Sequence, residues 1–116
     1  MSNYLTLLKI KNILEAHQGR SNPVFSAAIA EELNLNDKAS TPLTRSLIKE
    51  AIIRFDLPVA AHGGGYYMIT SREELKEYTA NLRGRIRGIQ GRIDAVSGAF
   101  ERSQVIKKDH QQMELC

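Results

Sequence analysis

Tryptophan is absent from this 116-residue sequence, aromatic residues make up only 6% of it, and cysteine occurs once, as Cys116. A core must therefore be built from aliphatic and small side chains, which the 42% hydrophobic content supplies. One cysteine excludes an intrachain disulfide framework and a cysteine-built zinc cluster. No apolar run approaches the roughly 18 residues needed to cross a bilayer. A leader peptide is missing as well: Leu5 to Ile10 is apolar, but no basic segment precedes it and no cleavage site follows. The chain reads as cytoplasmic, with no membrane partner.

The residues of catalysis are equally sparse. His17, His62 and His110 stand far apart with no metal-ligand spacing among them. The triplet Gly63-Gly64-Gly65 is not followed by the Lys-Ser/Thr pair of a phosphate-binding loop. No serine or cysteine nucleophile sits beside a recognisable base. Glu31-Glu32 and Glu73-Glu74 are adjacent pairs, which a helix points to different sides. These absences predict no enzyme, no cofactor and no metal.

What is present is clear punctuation. Asn3 is positioned to cap a first helix running to about His17, with Tyr4, Leu7, Leu8, Ile10, Ile13 and Leu14 as its apolar residues. Gly19 suits a left-handed end, and Ser21-Asn22-Pro23 reads as a loop. Val24-Phe25 is a short strand, and Ser26 is the natural N-cap of a short helix to Leu33. Asn34 ends that helix in the left-handed region, and Leu35 folds back as an apolar plug. After the polar linker Asn36 to Ser40, Thr41 caps and Pro42 opens a helix to about Phe55. Leu43, Leu47, Ile48, Ala51 and Phe55 fall on one side of it, opposite Arg45, Ser46 and Lys49.

A hairpin follows. Leu57 to Ala61 is one strand, begun at an edge because Pro58 has no N–H to donate; His62 to Gly65 is the loop; Tyr66 to Ile69 returns. One of the three glycines, Gly65 foremost, is expected at positive φ. Ser71 and Glu74 form a capping box that opens a long helix. The expected organisation is a first domain over residues 1–70, a helix over 71–104 and a disordered tail over 105–116.

The run Ile29-Ala30-Glu31-Glu32-Leu33, then Leu47-Ile48, Leu57-Pro58-Val59, Gly65-Tyr66-Tyr67, Ser71-x-x-Glu74-Leu75 and an arginine-rich helix resembles the small winged helix-turn-helix proteins common in bacteriophages and prophages. The resemblance covers Ile29 to Leu82. It implies a mainly α fold with a small β-hairpin, a winged helix-turn-helix domain followed by a long C-terminal helix. It also implies binding to double-stranded DNA in transcription regulation or phage replication.

Arg45, Ser46 and Lys49 are the side chains suited to reach base edges and phosphates, since arginine can bridge guanine O6 and N7. Thr41 and Thr44 join them because a helix N-terminus presents N–H groups to phosphate. His62, Gly63 and Gly64 would form the wing tip, which carries no arginine or lysine. A net charge of +3 leans toward an anionic partner. The stretch Arg83, Arg85, Arg87 and Arg92 suits phosphates, an acidic protein surface, or plain solubilising charge beside a seam. That seam is Leu82, Ile86, Ile89, Ile93, Val96 and Phe100, at heptad spacing, and it predicts a homodimer through the long helix. Gly84, Gly88, Gly91, Ala95 and Gly98 repeat on the opposite face. The alternative reading keeps the fold and makes it a module that binds a host or partner protein.

Overall fold

Leu7, Ile10 and Leu14 recur at helical spacing, and α1 (Ser2–Glu15) buries all three completely. The structure is a computed structural model that describes residues 2–115. It is mainly helical, with a small three-stranded antiparallel sheet and a long C-terminal helix. Asn3 lies inside α1 rather than capping it, and the helix stops two residues short of His17. The cause of the early stop is the sheet. The His17 carbonyl accepts a bond from the Met68 N–H at 2.8 Å, and the Gly19 N–H donates to the Met68 carbonyl at 2.8 Å. Gly19 makes the turn at φ +87°.

β1 (Val24–Phe25) leads directly into α2 (Ser26–Glu32). Ser26 is not the cap. Phe25 holds that position in extended geometry, and Ser26 is the first helical residue, buried, with its hydroxyl 2.7 Å from that of Thr41. The end of α2 is as expected: Asn34 is left-handed at φ 54°, its N–H bonds the Glu31 carbonyl, and the Leu35 N–H reaches back to Ala30.

α3 (Pro42–Arg54) packs against α1 and α2 and buries Thr44, Ile48 and Ala51; Ile48 and Ala51 join the core, with Leu47, Ile52 and Phe55 partly buried beside them. Leu43 is 48% exposed and lies off this row. Thr44 occupies the inward place instead, and burial is tolerable because its hydroxyl is bonded. With Val24, Ile29 and Met68, these residues form one aliphatic core.

β2 (Val59–His62) and β3 (Gly65–Met68) pair from Val59–Met68 to His62–Gly65, and the sheet order is β1-β3-β2. The first strand starts at Val59, not Leu57, and it is an edge strand; Pro58 precedes it, has no N–H to donate, and accepts from the Ile69 N–H at 2.8 Å. The loop is only Gly63-Gly64, at φ 60° and 86°, as a two-residue turn between twisted strands requires. Gly65 is not at positive φ; it is a paired strand residue. A side chain there would bring Cβ to 3.2 Å from Pro23 Cβ and 3.3 Å from Phe25 Cε1, so close approach is what keeps this position a glycine.

α4 (Arg72–Leu115) starts at half of the expected capping box. The Glu74 N–H donates to Ser71 Oγ at 3.1 Å, but the Glu74 carboxylate reaches past Ser71. It accepts from the Thr70 N–H and hydroxyl and from the Arg20 N–H. Those bonds hold its carboxyl below the usual range, the Thr70 N–H first and Arg20 next, against the pull of burial. Arg20 also pairs with Glu77. Where a disordered tail was expected over 105–116, α4 continues to Leu115, and Cys116 lies outside the described residues. Beyond Gly98 the chain has neither glycine nor proline and is rich in Gln, Lys, Glu and Met, which suit a helix. The chain divides into two units, Met1–Tyr78 and Thr79–Cys116. Among the described residues no helix is long and apolar enough to cross a membrane.

Candidate nucleic-acid interface

The start of α3 decides which of its atoms a ligand can reach. The first N–H groups of a helix lack partners within it. Pro42 has none to satisfy, and Asp37 takes the next two. Its Oδ1 accepts from the Leu43 N–H at 3.3 Å and the Lys38 N–H at 2.8 Å. Its Oδ2 accepts from the Thr44 N–H and the Thr44 hydroxyl, each at 2.7 Å. Burial pulls the Asp37 carboxyl upward, but the bonds from Thr44, Lys38 and Leu43 outweigh it and leave the group below the usual aspartate range.

Thr41 does not cap α3 with its side chain. It is left-handed at φ 54°, and its hydroxyl donates to the Ser40 carbonyl at 2.7 Å. Ser26 must then be the donor in the Ser26–Thr41 bond. Thr41 and Thr44 are both buried, with hydroxyls already engaged. The two threonines expected to meet phosphate thus lie inside, apart from the exposed Arg45, Ser46 and Lys49. The anion-binding end of the helix already holds a carboxylate, supplied by the linker.

Arg45, Ser46 and Lys49 are exposed together, as the helical spacing requires. Neither cation is in an ion pair among the described residues. The third base of α3, Arg54, is engaged elsewhere: its guanidinium lies 5.1 Å from the centre of the Tyr4 ring. Arg45 sits close enough to the hairpin to be felt by Tyr66. Burial pushes the Tyr66 phenol up, and the guanidinium pulls it the other way. The same exposed surface of α3 also carries Glu50, Leu43 and Ile53, the last 71% exposed.

At the hairpin end, His62, Gly63 and Gly64 are exposed and uncharged by any lysine or arginine. Phe25, 52% exposed, stands beside them: a Cβ built on Gly64 would lie 3.9 Å from Phe25 Cδ1. Sequence reasoning passed over Phe25 and Asp37. The signal for Phe25 was strand alternation, since inward Val24 leaves its neighbour facing out. Asp37 had only the weaker signal of an acid in the linker before a proline-initiated helix.

In the second unit the seam lies open. Ile86, Ile89, Ile93, Val96 and Phe100 are 53–64% exposed, and Leu82 is half-buried. Arg83, Arg85, Arg87 and Arg92 are exposed around them. On the glycine face, a methyl group at Gly88 or Gly91 would meet nothing within 4 Å. No family model, no curated protein and no solved structure matches this chain.

Proposed function

We propose that residues of the first unit form a winged helix-turn-helix domain that binds duplex DNA through α3, as a transcriptional regulator or phage replication factor, and that two copies pair through the α4 seam. The observation that carries this reading is the exposed trio Arg45, Ser46 and Lys49, free of ion pairs among the described residues. The helix that presents them is anchored by Thr44, Ile48 and Ala51, so its exposed face is held rigidly. The order helix, strand, helix, helix, hairpin, with β1 as the third strand, supports the winged-helix reading. Arg45 would read a base edge and Lys49 would neutralise phosphate, while Phe25 and the Gly63-Gly64 turn would lie against the backbone or a groove.

Leu43, Ile53 and the cation-free hairpin tip favour a second reading, in which the same surface binds a protein. Selection from random duplex DNA, followed by binding measurements across salt concentrations, separates the two. DNA binding gives a linear fall of log affinity with log salt. Arg45→Ala should weaken binding by about 1–3 kcal/mol and relax specificity at one position, and Lys49→Ala should weaken it evenly and lower the salt slope. Unchanged binding by the double variant would exclude α3 as the reading helix.

A further inference from the structure

We infer that α4 pairs with a second copy of itself in antiparallel orientation, centred near Gly91; this rests on the pairing of two copies proposed above and specifies its geometry. Three features of the exposed helix converge on it.

The first is the seam. From Leu82 to Phe100 its steps are four, three, four, three and four, a series that reads the same in both directions. A reversed copy therefore presents a matching seam, with Leu82 against Phe100, Ile86 against Val96 and Ile89 against Ile93. Each layer then joins a larger residue to a smaller one or two of equal size. A parallel pair would instead stack Phe100 on Phe100 and Val96 on Val96, widening one layer and starving its neighbour.

The second is residue type. Counting Ile86, Ile93 and Phe100 as a positions makes Leu82, Ile89 and Val96 the d positions. Two-stranded parallel coils favour leucine at d; β-branched Ile89 and Val96 disfavour that dimer and would drive parallel chains to three or four strands instead.

The third is charge. One flank of the seam carries Arg83, Arg87, Gln90, Asp94, Ser97 and Glu101, exposed in that order. Its first half is positive and its second half negative, with Gln90 bonded to Asp94 at 2.9 Å. In an antiparallel pair this flank faces its own reverse, so Arg83 meets Glu101 of the second copy and the unlike halves lie together. In a parallel pair the same flank faces the other one, where Arg85, Arg92 and Arg102 stand, and arginines from both chains crowd one end. The like-charge contacts of the antiparallel arrangement are Arg92 facing Arg92 at the centre and, more widely spaced, Arg85 toward Arg102 of the second copy.

The test uses the full chain with Cys116→Ser, carrying Leu82→Cys or Phe100→Cys, and a short thiol-to-thiol crosslinker. In the antiparallel pair two Leu82 positions lie about 27 Å apart along the helix at 1.5 Å per residue. The expected result is no covalent dimer from either variant alone and an efficient one, containing one chain of each, from the mixture. Covalent dimers from Leu82→Cys alone would overturn the orientation while leaving the pairing itself standing. Light scattering on the unmodified chain separates that outcome from a monomer, which would overturn both.

Charge exchange gives an independent reading. Arg83→Glu and Glu101→Arg should each weaken pairing about tenfold, since each reverses two equivalent contacts. The double variant should restore it, because the two positions meet only between copies. Additive loss in the double variant would overturn the antiparallel register.

Discussion

Asp37 shows how much a single linker residue determines here. It closes the start of α3 with three hydrogen bonds and takes a fourth from the Lys38 N–H, and its carboxyl is held below the ordinary aspartate value of about 3.9. A group whose folded pKa is depressed adds stability above its unfolded pKa and loses it as pH falls through the folded one. Glu74 follows the same rule at the start of α4. Acid should therefore destabilise the first unit below about pH 4, where both carboxylates take up protons. Asp37→Asn should lower Tm by a few degrees at neutral pH and flatten the acid limb, with Glu74→Gln adding a second flattening. A pH series of thermal melts measures it, and an unchanged acid limb in the double variant would refute the assignment. Asp37 was hard to read from sequence because its bonds to α3 span six and seven positions across a linker, outside any local capping pattern. Thr41-Pro42, by contrast, matched the local pattern, yet the threonine's left-handed backbone turned its hydroxyl away.

At the scale of elements, legibility followed periodicity. α1 and α3 were readable because Leu7, Ile10 and Leu14, or Ile48 and Ala51, recur at helical spacing and find a core. β1 was readable from two β formers before a serine, and β2 and β3 from the glycine turn between them. The extent of α4 was not readable past residue 102, because polar helix formers without an apolar pattern look alike in a helix and in a disordered tail. The exposed face of α3 was legible in Arg45, Ser46 and Lys49 and illegible in Leu43, whose expected inward place Thr44 takes. α4 also yields a test of its own. Gly88 and Gly91 face open space. Alanine at either should stabilise the helix by about 1 kcal/mol, measured as helicity and resistance to urea. A loss of stability instead would mean that another backbone packs against that face.

For the whole molecule, the two units offer separate spectroscopic handles. All four tyrosines, Tyr4, Tyr66, Tyr67 and Tyr78, lie in the first unit, and there is no tryptophan. Tyrosine fluorescence therefore follows that unit alone, while far-ultraviolet circular dichroism also follows the helix from Thr79 onward. If two copies pair through the seam, a roughly tenfold rise in protein concentration should raise the melting temperature of the helical signal by mass action. The tyrosine transition should stay where it is. A helical transition independent of concentration would argue against pairing.

The bond between Ser26 and Thr41 has a consequence for how this sequence can change over generations. The Ser26 hydroxyl donates to Thr41, and the Thr41 hydroxyl donates to the Ser40 carbonyl. If alanine replaces Ser26 first, Thr41 keeps its own acceptor and no donor is stranded. If valine replaces Thr41 first, a buried hydroxyl at Ser26 loses the partner it donates to, at a cost of about 1–3 kcal/mol. The same two replacements are thus accessible in one order and obstructed in the other. The route from a polar to an apolar junction between α2 and α3 is a one-way street that begins at Ser26.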